Sequence, residues 1–336
     1  MTRIVLQLIL MLAAILIASA LFTNALEHLG KRMQLSDGVT GSLLAAVGTA
    51  LPETSIPLIA ILSGHGELLN EEISIGAILG APLMLATLST CLMTVSVLGQ
   101  RGLFGRIYPE ASGIKRDLNY FLYGFFLSAV AMYVPHTHIV VRAGLSIALI
   151  CVYLHYVYMT LQASQALVDS GHSTTVLDLM YLSHIGIQTR LITILLQLGI
   201  ALVLLVSSAK GFMHYIDQYS QYLGVSPLLL SLIMIPIATE LPEKINTILW
   251  VRCGKDTLAF SNLTGAMVFQ GTILPALGII LTPWQPCLEA LTSIAITLTA
   301  VAWCQVLLRD RGLPIWALLF NGIFYVAYLG MMLTYS

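Results

Sequence analysis

The chain has 336 residues, of which 58% are hydrophobic and 9% are charged, with a formal net charge of -1. Soluble domains carry about 25% charged residues, so this composition, with a mean hydropathy of +0.90, excludes an ordinary soluble domain and indicates a polytopic membrane protein. The balance of charge provides no basic surface for nucleic acid, and we expect no nucleic-acid partner.

Apolar segments long enough to cross a bilayer as tilted helices recur along the whole chain. In chain order they span residues 4–27, 38–63, 73–98, 117–135, 138–162, 190–213, 225–250, 257–281, 287–308 and 313–334. We therefore predict an all-α polytopic membrane protein with about ten transmembrane helices. The first segment is too long for the apolar core of a signal peptide, so we count it as a span.

Lys and Arg residues are distributed unevenly between the two ends of these segments. Most lie in the loops on one side, whereas the other side has Arg3, Arg142 and an acidic loop that includes Glu67. The positive-inside rule places the basic side in the cytoplasm. We therefore predict an integral protein of the plasma (inner) membrane with both termini outside.

A short motif occurs once in each half of the chain. Residues 49–53 read T-A-L-P-E and residues 239–243 read T-E-L-P-E, at an offset of 190. Further along, Gly80-Ala81 is repeated as Gly265-Ala266 at an offset of 185. Each motif places a glutamate beside a proline inside an apolar segment, where a charged side chain costs roughly 2.5–3.5 kcal/mol on insertion scales. The duplication indicates one site built from both halves.

The repeated motifs also predict the domain organisation. We expect two five-helix repeats, residues 1–162 and 190–336, joined by a cytoplasmic linker at 163–189. An odd number of helices per repeat gives the second repeat the opposite orientation in the membrane. Inverted repeats with polar interruptions at matching places are typical of secondary transporters that work by alternating access.

The motifs supply oxygen ligands at membrane depth. Their prolines leave backbone carbonyls without helical partners, which hydrocarbon tolerates only where a cavity or an ion satisfies them. Thr49 and Thr239 add hydroxyl and carbonyl oxygens, and Glu53 and Glu243 add carboxylates. Ca²⁺ takes about 6–8 such oxygens, and two carboxylates balance its charge. We predict Ca²⁺ as a transported ion, exchanged for Na⁺ or H⁺, and no resident cofactor.

Both motif regions resemble the alpha repeats of the sodium/calcium exchanger (calcium/cation antiporter) superfamily, whose signature is G-T-S-L-P-E in each half. The resemblance extends through residues 21–38, 75–80 and 224–278 and covers about a third of the chain. It implies a prokaryotic-type ten-helix member. It also implies that the threonine and glutamate of each motif bind Ca²⁺, and that Na⁺ is the counter-ion.

The chain departs from the family pattern in both repeats. The serine of the signature is Ala50 in the first half and Glu240 in the second. The next helices lack the family's G-S-N-x-x-N or D pattern: Gln270 keeps a polar side chain at its end, and Leu85 does not. We add Glu240 and Gln270 to the predicted metal ligands. A Ca²⁺ (or other cation)/H⁺ antiporter and a degenerate, non-transporting member remain alternatives.

Several other polar residues near the second motif have alternative interpretations. Lys244 follows Glu240 by four residues, the favourable order for an ion pair. Either the pair is structural, or Glu240 is a third ligand or proton carrier with Lys244 in a monovalent-ion position, or the residues lie near a water-filled mouth. Asn246 lines the pathway or caps a backbone defect, and Asn262 lines the pathway or starts a helix. For Glu27, near a predicted helix end, we expect a solvated acidic rim.

Catalytic motifs are missing from the sequence. It contains no H-E-x-x-H and no G-x-S-x-G, so we predict that the protein is not an enzyme. The predicted partners are inorganic cations and the lipid bilayer. No protein partner follows from the sequence, which is compatible with a monomer.

Overall fold

The computed structural model describes residues 2–46, 68–169, 174, 176, 179–223, 240, 243–308 and 312–335, most of them helical. The α-helices are α1 (Thr2–Arg32), α2 (Asp37–Val39), α3 (Leu68–Met84), α4 (Thr90–Arg101), α5 (Ala111–Ala131), α6 (Ile139–Asp169), α7 (Leu191–Leu223), α8 (residues 243–252), α9 (Asp256–Leu281), α10 (Leu288–Leu307) and α11 (Ile315–Tyr335). π-Helices at Thr40–Ala45 and Leu85–Ser89 continue α2 and join α3 to α4, and a 3-10 turn covers Tyr181–Ile185. Two short strands, β1 (Arg106–Ile107) and β2 (Leu313–Pro314), pair antiparallel.

The predicted all-α polytopic fold with about ten helices is confirmed. Helical residues occur in every one of the ten predicted segments. Within the described ranges, six helices are long and apolar enough to cross a membrane. Some ends differ from the prediction: α6 continues to Asp169, seven residues into the predicted linker, and α5 begins at Ala111. The earlier start of α5 follows from its N-terminal cap. The Glu110 carboxylate accepts hydrogen bonds from the backbone N–H groups of Ser112 and Gly113, both at 2.7 Å.

Helix α9 is the centre of the described bundle. It packs against α3, α5, α6 and the first π-helix. Its C-terminal end is held by Arg142 of α6, whose guanidinium donates to the carbonyls of Ile279, Thr282 and Pro283. An arginine bonded to the last carbonyls of a helix also complements the negative end of the helix dipole. Arg142 therefore anchors α6 to the central helix.

Two adjacent residues fix the start of α9. The Asp256 carboxylate accepts two hydrogen bonds from the guanidinium of Arg101, at 2.6 and 2.7 Å, which link α9 to α4. Lys255 lies 2.9 Å from the carboxylate of Glu27, which also accepts from the indole N–H of Trp250 at 2.8 Å. The expectation of a solvated rim at Glu27 is wrong, because this residue is 8% exposed and its charge is paired across helices.

Equivalent helices of the two predicted repeats contact each other. The first helices of the repeats, α1 and α7, pack together, and so do the third helices, α3 and α9. Contacts between equivalent elements are what a pseudo-two-fold axis between two repeats produces.

The first π-helix crosses α9 at two glycines. A Cβ atom on Gly41 would lie 2.7 Å from the carbonyl oxygen of Leu258, and one on Gly265 would collide with the backbone of Ser42. Small residues let membrane helices approach this closely. The crossing places the first-repeat helix that leads into residues 49–53 directly against α9.

The crossing predicts the effect of adding one methyl group. We expect Gly265→Ala to lower the free energy of unfolding in detergent by roughly 1–3 kcal/mol, because the added Cβ has no space beside Ser42. Thermal unfolding measures the change. The matched control is Gly144→Ala on α6, where no described atom lies within 4 Å of a built Cβ; equal stability of the two variants would contradict the close crossing.

Candidate cation-binding site

Three of the six predicted metal ligands lie in the part of the chain that the structure describes. Glu240, Glu243 and Gln270 are fully buried, at 0% exposure. The other three, Thr49, Glu53 and Thr239, lie outside the described residues. The observed geometry therefore concerns the second-repeat half of the predicted site.

Helix α8 turns a stripe of polar side chains inward. Glu243, Lys244, Asn246 and Thr247 are all buried, although the helix lies in an apolar segment. Polar and ionisable residues at membrane depth are expensive, and they face the bundle interior where they mark ion pathways. The inward stripe makes α8 the best described candidate for a pathway-lining helix.

The expected ion pair between Glu240 and Lys244 is confirmed. The Lys244 Nζ atom lies 2.8 Å from Glu240 Oε2, with both side chains buried. The same ammonium lies 3.0 Å from the sulfur of Met84 on α3. Lys244 therefore contacts a carboxylate of its own repeat and a neutral atom of the other repeat.

A side-chain amide from α9 joins α8 to the central helix. Asn262 Nδ2 donates to Thr247 Oγ1 at 3.0 Å and to the carbonyl oxygen of Glu243 at 3.4 Å. The amide therefore holds the backbone that carries a predicted ligand. This contact gives Asn262 a positioning role that its place in the sequence did not indicate.

Asn246 is the buried polar group with the least satisfied side chain near the second motif. It is 0% exposed, and neither its amide nitrogen nor its amide oxygen has a hydrogen-bond partner among the described residues. A cap on a backbone defect would show such a bond, so the pathway interpretation is the one that the geometry supports. Buried polar groups without partners are rare and occur at functional sites.

The second π-helix begins directly after Met84. Asn321 of α11 donates from Nδ2 to the carbonyl of Ala86 within it, at 2.9 Å. π-Bulges occur frequently at functional sites because they change the partners of backbone groups. Here the π-helix follows the residue that touches Lys244.

A buried carboxylate that sequence reasoning missed lies on α5. Asp117 is 1% exposed. Its carboxylate accepts hydrogen bonds from the hydroxyl groups of Tyr156 on α6, at 3.0 Å, and Thr264 on α9, at 2.7 Å. The predicted fourth segment begins at this residue, and no role was predicted for Asp117. The charged residue in an apolar stretch was the available signal, and the earlier start of α5 explains why Asp117 is inside.

The described residues alone do not form a complete metal cage. They contain no group of three or more His, Cys, Asp or Glu side chains that could hold a metal ion. The predicted cage takes one of its motif carboxylates, Glu53, from the first repeat, outside the described residues.

Apolar helices that bury acidic side chains in their interior are typical of integral membrane proteins that move cations. The family described as "Sodium/calcium exchanger protein" matches residues 3–162 and 193–334. The chain belongs to this family of cation exchangers.

The chain is also similar to individual proteins and solved structures. The Inner membrane protein YrbG of Escherichia coli (strain K12) is 26% identical over 247 residues, covering 74% of this chain and 70% of the relative. The Putative antiporter CaxA of Alkalimonas amylolytica is 33% identical over 91 residues, 27% of this chain and 28% of that protein. Structures of the sodium-calcium exchanger NCX_Mj share the fold, for example with a TM-score of 0.74 at 16% identity over 98% of each chain.

The buried ion pair predicts a strong coupling between two substitutions. In a buffer without small monovalent cations, Lys244→Met and Glu240→Gln should each destabilise the protein by about 3–5 kcal/mol, because each leaves an unpaired group buried. The double variant should lose much less than the sum of the two. Unfolding in detergent measures the cycle, and additive losses would show that the pair contributes nothing.

The unsatisfied amide of Asn246 leads us to predict that its removal raises the stability of the cation-free protein and weakens its response to Ca²⁺. We expect Asn246→Leu to stabilise the cation-free protein by roughly 1–3 kcal/mol, since an unsatisfied buried amide is removed, and to reduce the stabilisation that added Ca²⁺ gives. Asn321→Leu is the control, because its amide already bonds Ala86 and its loss should destabilise. Destabilisation by Asn246→Leu with an unchanged Ca²⁺ response would exclude the pathway role.

Proposed function

We propose that this protein exchanges Ca²⁺ for Na⁺ across the membrane by alternating access. The observation that carries the proposal is the set of buried charged side chains at the second motif. Glu240 and Glu243 are fully buried there with Lys244, and these three side chains have a formal net charge of -1. Glu53 of the first motif adds a second negative charge, and a net charge of -2 matches one Ca²⁺.

The same charge provides a reason for obligatory exchange. A site with a net charge of -2 is costly to move through the hydrocarbon when it is empty. Ca²⁺ or monovalent cations neutralise it, so each occupied form can change its access while the empty form is disfavoured. A sodium-calcium exchanger with the same fold, NCX_Mj, was solved after soaks with Na⁺ and Ca²⁺, which supports these ions as the first to test.

A proton-coupled exchanger is the second candidate. The observation that favours it is Leu85, which is fully buried and apolar at the position equivalent to Gln270 in the other repeat. It leaves fewer neutral oxygens for Na⁺ than the family pattern provides. Protons need fewer ligands, so this departure bears on the coupling ion and not on Ca²⁺.

Flux measurements on purified protein in liposomes test the proposal. We expect radiolabelled Ca²⁺ uptake driven by an outward Na⁺ gradient, and loss of most of it in Glu53→Gln and Glu243→Gln, because each removes half of the charge that balances Ca²⁺. Glu289→Gln is the matched control, since Glu289 is exposed at the start of α10.

Each other outcome selects a different function. Uptake driven only by an outward H⁺ gradient would replace Na⁺ by H⁺ as the coupled ion. If Glu53→Gln and Glu243→Gln transport as well as wild type, the two motif glutamates are not part of the transport site. No flux under either gradient would exclude Ca²⁺ exchange and leave another cation or a non-transporting member.

A further inference from the structure

Asp117 is a buried acid that forms no ion pair in the part of the chain that the structure describes. It is 1% exposed, and none of the ion pairs between described residues includes it. Its two carboxylate oxygens contact hydroxyl groups instead, those of Tyr156 on α6 and Thr264 on α9. An ionised carboxylate in such surroundings is costly, and a bound proton removes this cost.

The charged and titratable groups around this acid on α5, α6 and α9 are few. On its own helix, the preceding residue Arg116 and the capping residue Glu110 are near enough for their charges to act on it. Tyr156 is the titratable group that faces it from α6. The central helix presents Thr264, which does not titrate. The charge on the acid is therefore balanced by no cation in contact with it, and only by the field of its neighbour Arg116.

Helix α10 also packs against α5 and brings no charge to the acid. The C-terminal part of α10 lies beside the start of α5, since Gln305 donates to Asn119. Glu289, the charged residue of α10, precedes Gln305 by 16 residues, which is about 24 Å along a helix. Cys304 is titratable, and its sulfur accepts from Asn321 of α11.

The hydroxyl group of Thr264 has two acceptors for its one hydrogen. Its Oγ1 atom lies 2.7 Å from Asp117 Oδ2 and 3.2 Å from the carbonyl oxygen of Phe260, one turn back on α9. When the acid is ionised, the hydrogen points to Oδ2. When Oδ2 carries a proton, the acid donates to Oγ1 and the threonine hydrogen turns to the carbonyl. A proton therefore binds with no change beyond the rotation of one hydroxyl group.

We propose that Asp117 is a proton-binding site in the interior of the protein, separate from the predicted cation ligands. The proton comes from water, binds Oδ2 and is held by Thr264, while the hydroxyl of Tyr156 continues to donate to Oδ1. Among the described residues, the side chains that bond to the carboxyl group are these two, and neither is a predicted cation ligand. The proposal holds whichever cations the protein exchanges.

The site lies next to the contact between the two predicted repeats. Thr264 directly precedes Gly265, which lies against the backbone of Ser42 in the first π-helix. Loss of the proton places a negative charge beside this close contact. Because alternating access moves the repeats against each other, we expect cation flux to depend on whether Asp117 is protonated.

Infrared spectroscopy of the purified protein in detergent detects the proton without any transport. A protonated carboxylic acid has a carbonyl-stretching band that a carboxylate lacks. We expect this band at neutral pH in wild type, its loss in Asp117→Asn, and no loss in the control Glu289→Gln, since Glu289 is exposed. The asparagine replaces the protonated acid closely, because its amide donates to Thr264 and accepts from Tyr156. An acid band that is identical in wild type and Asp117→Asn at every pH would overturn the proposal.

A second pair of variants tests the partner of the proton and keeps Asp117 in place. Thr264→Val removes the acceptor, so the acid band should move to the frequency of a carboxyl group that donates no hydrogen bond. Thr264→Ser keeps the hydroxyl and should keep the band at the wild-type frequency. A band that stays at the wild-type frequency in Thr264→Val would show that the proton is not held at this site.

The pH dependence of Ca²⁺ flux in liposomes tests the effect of the proton on transport. Asp117→Asn is fixed in the neutral form, so its flux should lose one step of the pH profile that wild type and Glu289→Gln show. The same profile in all three chains would refute the expected dependence of flux on Asp117. If no chain transports Ca²⁺, the proposed exchange fails, whereas the loss of the acid band in Asp117→Asn still supports the proton site.

Discussion

The free-energy cost of a charge in hydrocarbon is the constraint on which the rest of this structure depends. Glu240 is paired with Lys244, four residues further along the chain, and Asp256 at the start of α9 binds the guanidinium of Arg101. Asp117 is held by two hydroxyl groups from neighbouring helices. The Asp256–Arg101 pair and the bonds of Asp117 each join different helices, so the bonds that compensate charge also determine which helices pack together. In a membrane, where lipid competes equally for apolar surfaces, such bonds and close steric fit replace the hydrophobic effect as the source of specific packing.

The central helix α9 makes two kinds of contact with its neighbours, one at its termini and one in its middle. At its termini, Lys255, Asp256 and the carbonyls bound by Arg142 fix it to α1, α4 and α6. In its middle, Gly265 lies against the backbone of the first π-helix. Alternating access requires parts of the two repeats to move against each other. A smooth contact between small residues can slide as a shear, whereas interdigitated side chains have to repack. The structure therefore places charged contacts at the ends of α9 and a close contact between small residues in its middle.

The sequence predicts the helices well because one signal, the length of the apolar runs, determines them. It predicts their ends less well, since the cap at Glu110 and the polar end of α6 lie in stretches that a bilayer does not require to be apolar. The Glu240–Lys244 pair was predictable because the two partners are four residues apart in the sequence, the favourable spacing for an ion pair. The pairing of Glu27 was not, because Lys255 lies 228 positions away and nothing local indicates it. The contact of Lys244 with Met84 and the unsatisfied amide of Asn246 also depend on tertiary packing, which repeat symmetry alone does not specify.

The two predicted repeats share a motif but differ in charge at that motif. The second repeat carries both the additional acid, Glu240, and the base that neutralises it, whereas the first has Ala50 at the corresponding position. Because the two partners are only four residues apart in the chain, the charge balance of the pair does not depend on a contact between the two predicted repeats. The contact of the pair with the first repeat is to the neutral sulfur of Met84, which a moving helix can give up without exposing a charge. The charge of Glu240 is therefore compensated within the second half of the chain, and the contact with the first half carries no charge of its own.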